Sequence, residues 1–181
     1  MAEGQMKSLL KDMEHGDQDN REMAATDLCT EIEKGAKLSP ALEKSICRAY
    51  ITQLSDTSLN VRGNAVKCIS KIGSKISEGQ FGEITNKLTE CVVKGTEEFH
   101  DIYATCLKTL ISEADETFGK TLCNCLLPPL IRGTEHKLDT VREQSMEIAN
   151  EILKRFSTVL AVNPASLDKD KLMNNLISNL A

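Results

Sequence analysis

The chain has 181 residues, 40% of them apolar, 27% charged and only 3% aromatic, with a net charge of −5 at neutral pH. That length allows one ordinary domain or a short repeat array, and no apolar run reaches the roughly 18 residues that a membrane span needs. Two Tyr, four Phe, no Trp and an acidic balance supply neither the basic footprint nor the stacking aromatics of a nucleic-acid binder, so neither nucleic acid nor a membrane is expected as a partner.

The first residues, Met1 to Leu10, set acid beside base around no long apolar core. They read as neither a secretory signal nor a transit peptide, which leaves the cytoplasm or nucleus as the expected location. Helical periodicity then dominates, and no alternating β-branched stretch suggests a sheet. Nine helices are expected, at about 4–14, 19–34, 39–55, 58–76, 79–94, 98–114, 118–132, 138–157 and 168–180. Ser39, Pro40 and Glu43 form a start signal, with Pro40 at the first helical position and Glu43 placed to complete a capping arrangement. Gly35, Gly95 and Gly133 each follow an apolar stretch and are expected to end their helices in the left-handed conformation. Pro128 and Pro129 remove two amide donors and should kink or stop the seventh helix near Leu127.

The even-numbered helices repeat one another. Arg21, Arg62, His100 and Arg142 lie about 40 residues apart, and the positions three and seven beyond them are Ala24 and Leu28, Ala65 and Ile69, Tyr103 and Leu107, Ser145 and Ala149. Those two positions share one helical face. Helix pairs at that period are the mark of a HEAT-type α-solenoid, so an all-α fold is expected. The reading is one array over 1–181, with repeats at about 4–35, 39–77, 79–114 and 118–157 and a partial fifth at 168–181. Asp56 and Asp139 sit in inter-helix turns, where an acid can cap a helix and meet an arginine one repeat away. Val61, Ala65, Ile69, Ile72, Leu107, Leu110, Ile148 and Ile152 should form the core. The last helix carries Leu172, Leu176, Ile177 and Leu180 on one face without a successor, which reads as the N-terminal piece of a longer array. A monomer is expected, with association through that face as the alternative.

Seven cysteines, at 29, 47, 68, 91, 106, 123 and 125, are odd in number and never spaced as CxxC, so core packing in a reducing compartment fits better than disulfides or zinc. Cys123 and Cys125 should point to different faces. His15 and His136 each follow a glutamate. The HEAT-repeat deoxyhypusine hydroxylases hold iron with His-Glu pairs, but here the order is reversed and the pairs number two, so solvated turns are expected, and no metal or cofactor. Catalytic motifs are missing as well: there is no nucleophile elbow, phosphate loop or zinc-protease helix.

Solenoids work through extended surfaces, and the second helix of each pair is expected to line the concave side. Lys67, Lys71 and Lys75 recur at four-residue spacing opposite the stripe of Val61, Ala65, Ile69, Ile72 and Ile76, with Lys108 in a similar place one repeat later. They form a candidate basic ridge for an acidic protein patch, although the same lysines also fit an ordinary solvated face.

Particular residues then carry a resemblance. Asp19-Asn20-Arg21, Met23-Ala24 and Asp27-Leu28 within Leu9 to Ile32, then Asn64-Ala65-Val66-Lys67-Cys68-Ile69 and Ser74-Lys75-Ile76, and finally His100-Asp101-Ile102 with Leu107-Lys108-Thr109-Leu110-Ile111, resemble the first repeats of the cullin-associated, neddylation-dissociated proteins. The likeness covers about residues 9–114 by motif and the rest by periodicity. It implies a long HEAT solenoid that wraps cullin-RING ubiquitin ligase scaffolds lacking their ubiquitin-like modifier. The N-terminal arch would embrace the cullin C-terminal region and its RING-box subunit, as part of a non-catalytic substrate-receptor exchange factor. Another HEAT scaffold, such as a nuclear transport receptor or a phosphatase scaffold, is the alternative reading. A HEAT-repeat metal-dependent hydroxylase is the outside one.

Overall fold

In the computed structural model, residues 3–94 and 99–158 are described, and they form eight α-helices without a strand. These are α1 (Glu3–Asp12), α2 (Gln18–Glu33), α3 (Pro40–Gln53), α4 (Leu59–Ile72), α5 (Glu78–Lys94), α6 (His100–Glu113), α7 (Gly119–Gly133) and α8 (Asp139–Arg155). Short 3-10 turns at Gly73–Lys75 and Glu116–Phe118 follow α4 and precede α7. Each helix falls where periodicity places it. The expected ninth helix, its apolar face and Gly95 lie outside the described residues.

The chain divides into two compact units, Met1–Ile84 and Thr85 onward. In the first, α1 packs on α2 and α3 on α4, while α2 stacks on α4 and α1 on α3. In the second, α7 packs on α8 and α6 stacks on α8. Both show the HEAT-type scheme of helix pairs whose second members stack, and the fold is an all-α solenoid type. The repeating positions explain the stacking. Ala24, Leu28, Ala65 and Ile69 are buried in the first unit, and Tyr103, Leu107, Ser145 and Ala149 in the second. Alanine at the contact lets α2 and α4 approach closely, and each large apolar side chain buried beside it contributes about 1.5–3 kcal/mol. All eight anticipated core residues are buried. Tyr50, fully buried, donates its hydroxyl to the Ala25 carbonyl at 2.7 Å, so α3 is pinned to α2 without leaving a polar group unsatisfied.

Several local expectations fail for identifiable reasons. α7 runs through Pro128 and Pro129 to Gly133 instead of stopping near Leu127. The prolines sit on its outer side, exposed and half-buried, while Leu126, Leu127 and Leu130 face inward. The carbonyls deprived of a donor belong to Asn124 and Cys125 on that same outer side, where water can serve them. Gly35 does take a positive φ, 87°, but Gly133 does not. Glycine is needed at 133 for space, because a Cβ there would fall 2.2 Å from Ser145 Oγ and 2.9 Å from Ser145 Cβ on α8. Ser39 makes no side-chain cap bond. Glu43 instead accepts from the backbone N–H and hydroxyl of Ser77, at 2.7 and 2.5 Å, serving the start of α5 instead of its own helix. Cys29, Cys47, Cys68, Cys106 and Cys123 are buried, Cys91 and Cys125 half-buried, and all seven are free thiols. Burial pushes the Cys47 thiol up to about 12, with Glu43 and Glu83 adding to it, and Cys123 up to about 11.

Candidate protein-binding surface

The turns between α1 and α2, α3 and α4, and α7 and α8 share one device. Arg21 Nη1 donates back to the carbonyls of His15 and Gly16, at 2.8 and 3.1 Å. Arg142 Nη1 does the same to His136 and Lys137, at 2.9 and 3.3 Å, and Arg62 Nε reaches the Asp56 carbonyl. An arginine on the second helix thus closes the turn six residues before it. Arg21 also forks onto Asp56, with Nε and Nη2 each 2.8 Å from a carboxylate oxygen, and Asp56 Oδ1 accepts the Ser58 N–H at 2.8 Å. The expectation of an acid meeting an arginine one repeat away is met there. Asp139 departs from it and pairs locally with Arg142 at 2.6 Å, because three residues on one helix already face each other.

The histidines find their places in the same device. His15 Nδ1 accepts the Asp17 N–H at 3.0 Å and His136 Nδ1 the Leu138 N–H at 3.2 Å, each doing what Asp56 does for Ser58. His100, the anchor position of its repeat, is the first residue of α6 and is buried. Among the described residues, no three His, Cys, Asp or Glu side chains converge as a metal would require.

This scaffold orients the charged faces. Lys67 and Lys71 lie exposed on α4. Lys75 follows in the 3-10 turn Gly73–Lys75, so the four-residue series leaves the α-helix after Lys71. From Leu59 to Ser77 the chain carries no acid, whereas α2 beside it carries Asp19, Glu22, Asp27, Glu31 and Glu33. The two faces meet where Lys71 Nζ lies 3.2 Å from Glu33 Oε2. That hydrogen bond holds the ammonium above its ordinary range. In the second unit, Lys108 Nζ sits 2.7 Å from Glu147 Oε2 and 3.4 Å from Gln144 Oε1. Two of the four expected contact lysines are therefore already engaged within the chain. Lys67 and Lys75 make no ion pair among the described residues. Lys44 and Arg48 on α3 are exposed, and Lys87 on α5 is half-buried.

A groove of about 450 Å³ runs along α2, with Asp19, Glu22, Met23, Thr26 and Asp27 among its lining residues. Met23 is 64% exposed there, an apolar side chain between carboxylates. Within the first unit, the acidic face of α2, the exposed Met23 and the lysines of α4 set both signs of charge beside an apolar side chain.

No protein-family model matches the chain. Individual proteins do. Cullin-associated NEDD8-dissociated protein 1 of Arabidopsis thaliana is 27% identical over 185 residues, covering 99% of this chain and 15% of that protein. The protein of the same name from Drosophila melanogaster is 31% identical over 160 residues, 86% of this chain and 13% of its own length. Cullin-associated NEDD8-dissociated protein 2 of Mus musculus is 28% identical over 169 residues, 90% of this chain and 14% of its own length. The chain resembles the cullin-associated NEDD8-dissociated proteins. It spans about one seventh of the length of these relatives. Among solved structures, two engineered proteins superpose with TM-scores of 0.52, at 16% and 18% identity, over 93% and 97% of this chain and 45% and 78% of their own. At that identity the likeness is one of fold.

Lys67, Lys71 and Lys108 stand on the second helices, as their spacing requires, and that much was legible. The partners of Lys71 and Lys108 were not, because Glu33 and Glu147 come from neighbouring helices 38 and 39 residues away. The bridging role of Glu43 and the Tyr50 hydroxyl bond were missed for the same reason. The near-40 period itself was the available signal, since a shift of one repeat sets Glu33 against Lys71 and Lys108 against Glu147.

Proposed function

We propose that this chain is a non-catalytic protein-binding segment of a cullin-RING ubiquitin ligase regulator, and that it grips a cullin lacking its ubiquitin-like modifier. The observation that carries this reading is the 27–31% identity to cullin-associated NEDD8-dissociated proteins over 86–99% of the chain. The contacts would fall on the cullin C-terminal region and the RING-box subunit, within one continuous repeat array that serves substrate-receptor exchange in the cytoplasm or nucleus. Lys67 and Lys75 would lead the docking, with Lys71 and Lys108 joining by exchanging Glu33 and Glu147 for acids of the partner. Exposed ion pairs are worth little, so such an exchange costs little.

The test is size-exclusion chromatography of the purified chain with a cullin–RING-box pair, with and without the modifier. Co-elution with the unmodified pair and separation from the modified one is the expected result. Separation from both, or equal co-elution with both, would overturn the reading.

A further inference from the structure

Cys29 on α2 and Cys68 on α4 face one another across the most tightly stacked helices of the first unit. Cys29 Sγ lies 3.8 Å from the Cys68 carbonyl, and Cys68 Sγ lies 3.8 Å from the carbonyl of Ala25, one turn before Cys29. Each sulfur thus rests against the backbone of the other residue's helix. Small Ala25 and Ala65, both fully buried, allow the backbones to come this close. The surroundings are polarised as well. Glu33 Oε2 is 3.9 Å from Cys29 Sγ and is itself 3.2 Å from Lys71 Nζ, so a proton acceptor and a cation stand beside one sulfur of the pair. The neighbouring Cys68 and the charge of Lys71 lower the Cys29 thiol against burial and the Glu33 carboxylate, while Cys68 is pushed up. The acceptor and the cation both stand on the Cys29 side, so the geometry marks Cys29 as the sulfur that gives up its proton first.

We propose that Cys29 and Cys68 are an oxidisable pair that closes a disulfide between α2 and α4 when hydrogen peroxide reaches them. Cys29 gives its proton to Glu33, and its sulfur attacks the peroxide O–O bond, forming a sulfenic acid and releasing water once the departing oxygen is protonated. The Cys68 sulfur then displaces that hydroxyl as a second water while losing its own proton. Two thiols are oxidised to one disulfide and one hydrogen peroxide is reduced to two waters. The bond would fasten the helix bearing the acidic face to the helix bearing Lys67 and Lys71. This assignment stands on the thiol geometry and does not depend on which protein the surface binds.

The folded wild-type chain, treated with hydrogen peroxide, blocked with iodoacetamide and digested with trypsin without reduction, decides the matter. The expected product joins the peptides 22–34 and 68–71, at a mass two hydrogens below their sum, and falls apart on reduction. Cys29→Ser and Cys68→Ser should each abolish it, Cys47→Ser should leave it intact, and Lys71→Gln, where the linked peptide extends to 68–75, should slow its formation severalfold. Recovery of both peptides alkylated and unlinked, or of Cys29 over-oxidised beside an intact Cys68, would overturn the proposal. So would a linkage that forms equally fast in Lys71→Gln, since Cys29 would then not be the assisted sulfur.

Discussion

Asp56 accepts two hydrogen bonds from Arg21 and one from the Ser58 N–H while standing largely out of solvent, its side chain 12% exposed. Burial raises the carboxyl's pKa, but the bonds from Arg21 and Ser58 and the charges of Arg21 and Arg62 outweigh it, and the group stays below the ordinary carboxylate range. A depressed folded pKa adds stability above the unfolded pKa, near 3.8, and this is lost as pH falls through the folded value. Asp56→Asn keeps an acceptor for Ser58 but removes the charge. It should lower the melting temperature at neutral pH, and the gap to wild type should be constant above about pH 5 and close in strong acid. A gap that persists undiminished at low pH would show that the charge is not what stabilises the turn. Gly133 makes a second residue-level case. Gly133→Ala places its methyl against Ser145 Oγ and should cost about 1–3 kcal/mol. Because the Ser145 hydroxyl is buried without a hydrogen-bond partner, Ser145→Ala should be close to neutral alone and should recover part of the Gly133→Ala loss. Denaturant titration of the two single variants and the double variant reads that coupling.

At the scale of elements, Leu107 is fully buried on α6 between the stacked second helices of its unit. Leu107→Asp would bury an unpaired carboxylate, at a cost of several kcal/mol that a small repeat array cannot absorb. Circular dichroism should therefore show loss of helix, whereas an unchanged melting curve would remove Leu107 from the core. The helices themselves were legible because their apolar positions recur every three to four residues over long stretches, as Val61, Ala65, Ile69 and Ile72 do. Their ends were less so. Pro128 and Pro129 carry a strong stop signal, yet the buried leucines on the opposite side of α7 hold the helix together through them. Gly133 shows the complementary case, a glycine that looks like a terminator and is in fact a clearance for α8. In both, a contact from elsewhere in the chain outweighs the local preference.

For the molecule as a whole, charge is unevenly placed. The first 35 residues are net −5, while the stretch from Leu59 to Ser77 is purely basic. Such a surface selects partners by long-range steering more than by contact energy, and salt should act on it through the association rate. The candidate lysines could be read from spacing, but their unequal availability could not, because it depends on carboxylates one repeat away. The proposed docking of Lys67 and Lys75, on α4 and the turn that follows it, against an acidic patch of a cullin–RING-box pair is tested most directly by association kinetics at two salt concentrations. Reversing Lys67 and Lys75 to glutamate should slow association and flatten its salt dependence, with little change in melting temperature. Reversing Lys44, Arg48 and Lys87 on the first helices should leave the rate as in wild type. Equal rates for all three proteins, or a loss confined to the Lys44, Arg48 and Lys87 variant, would contradict the account.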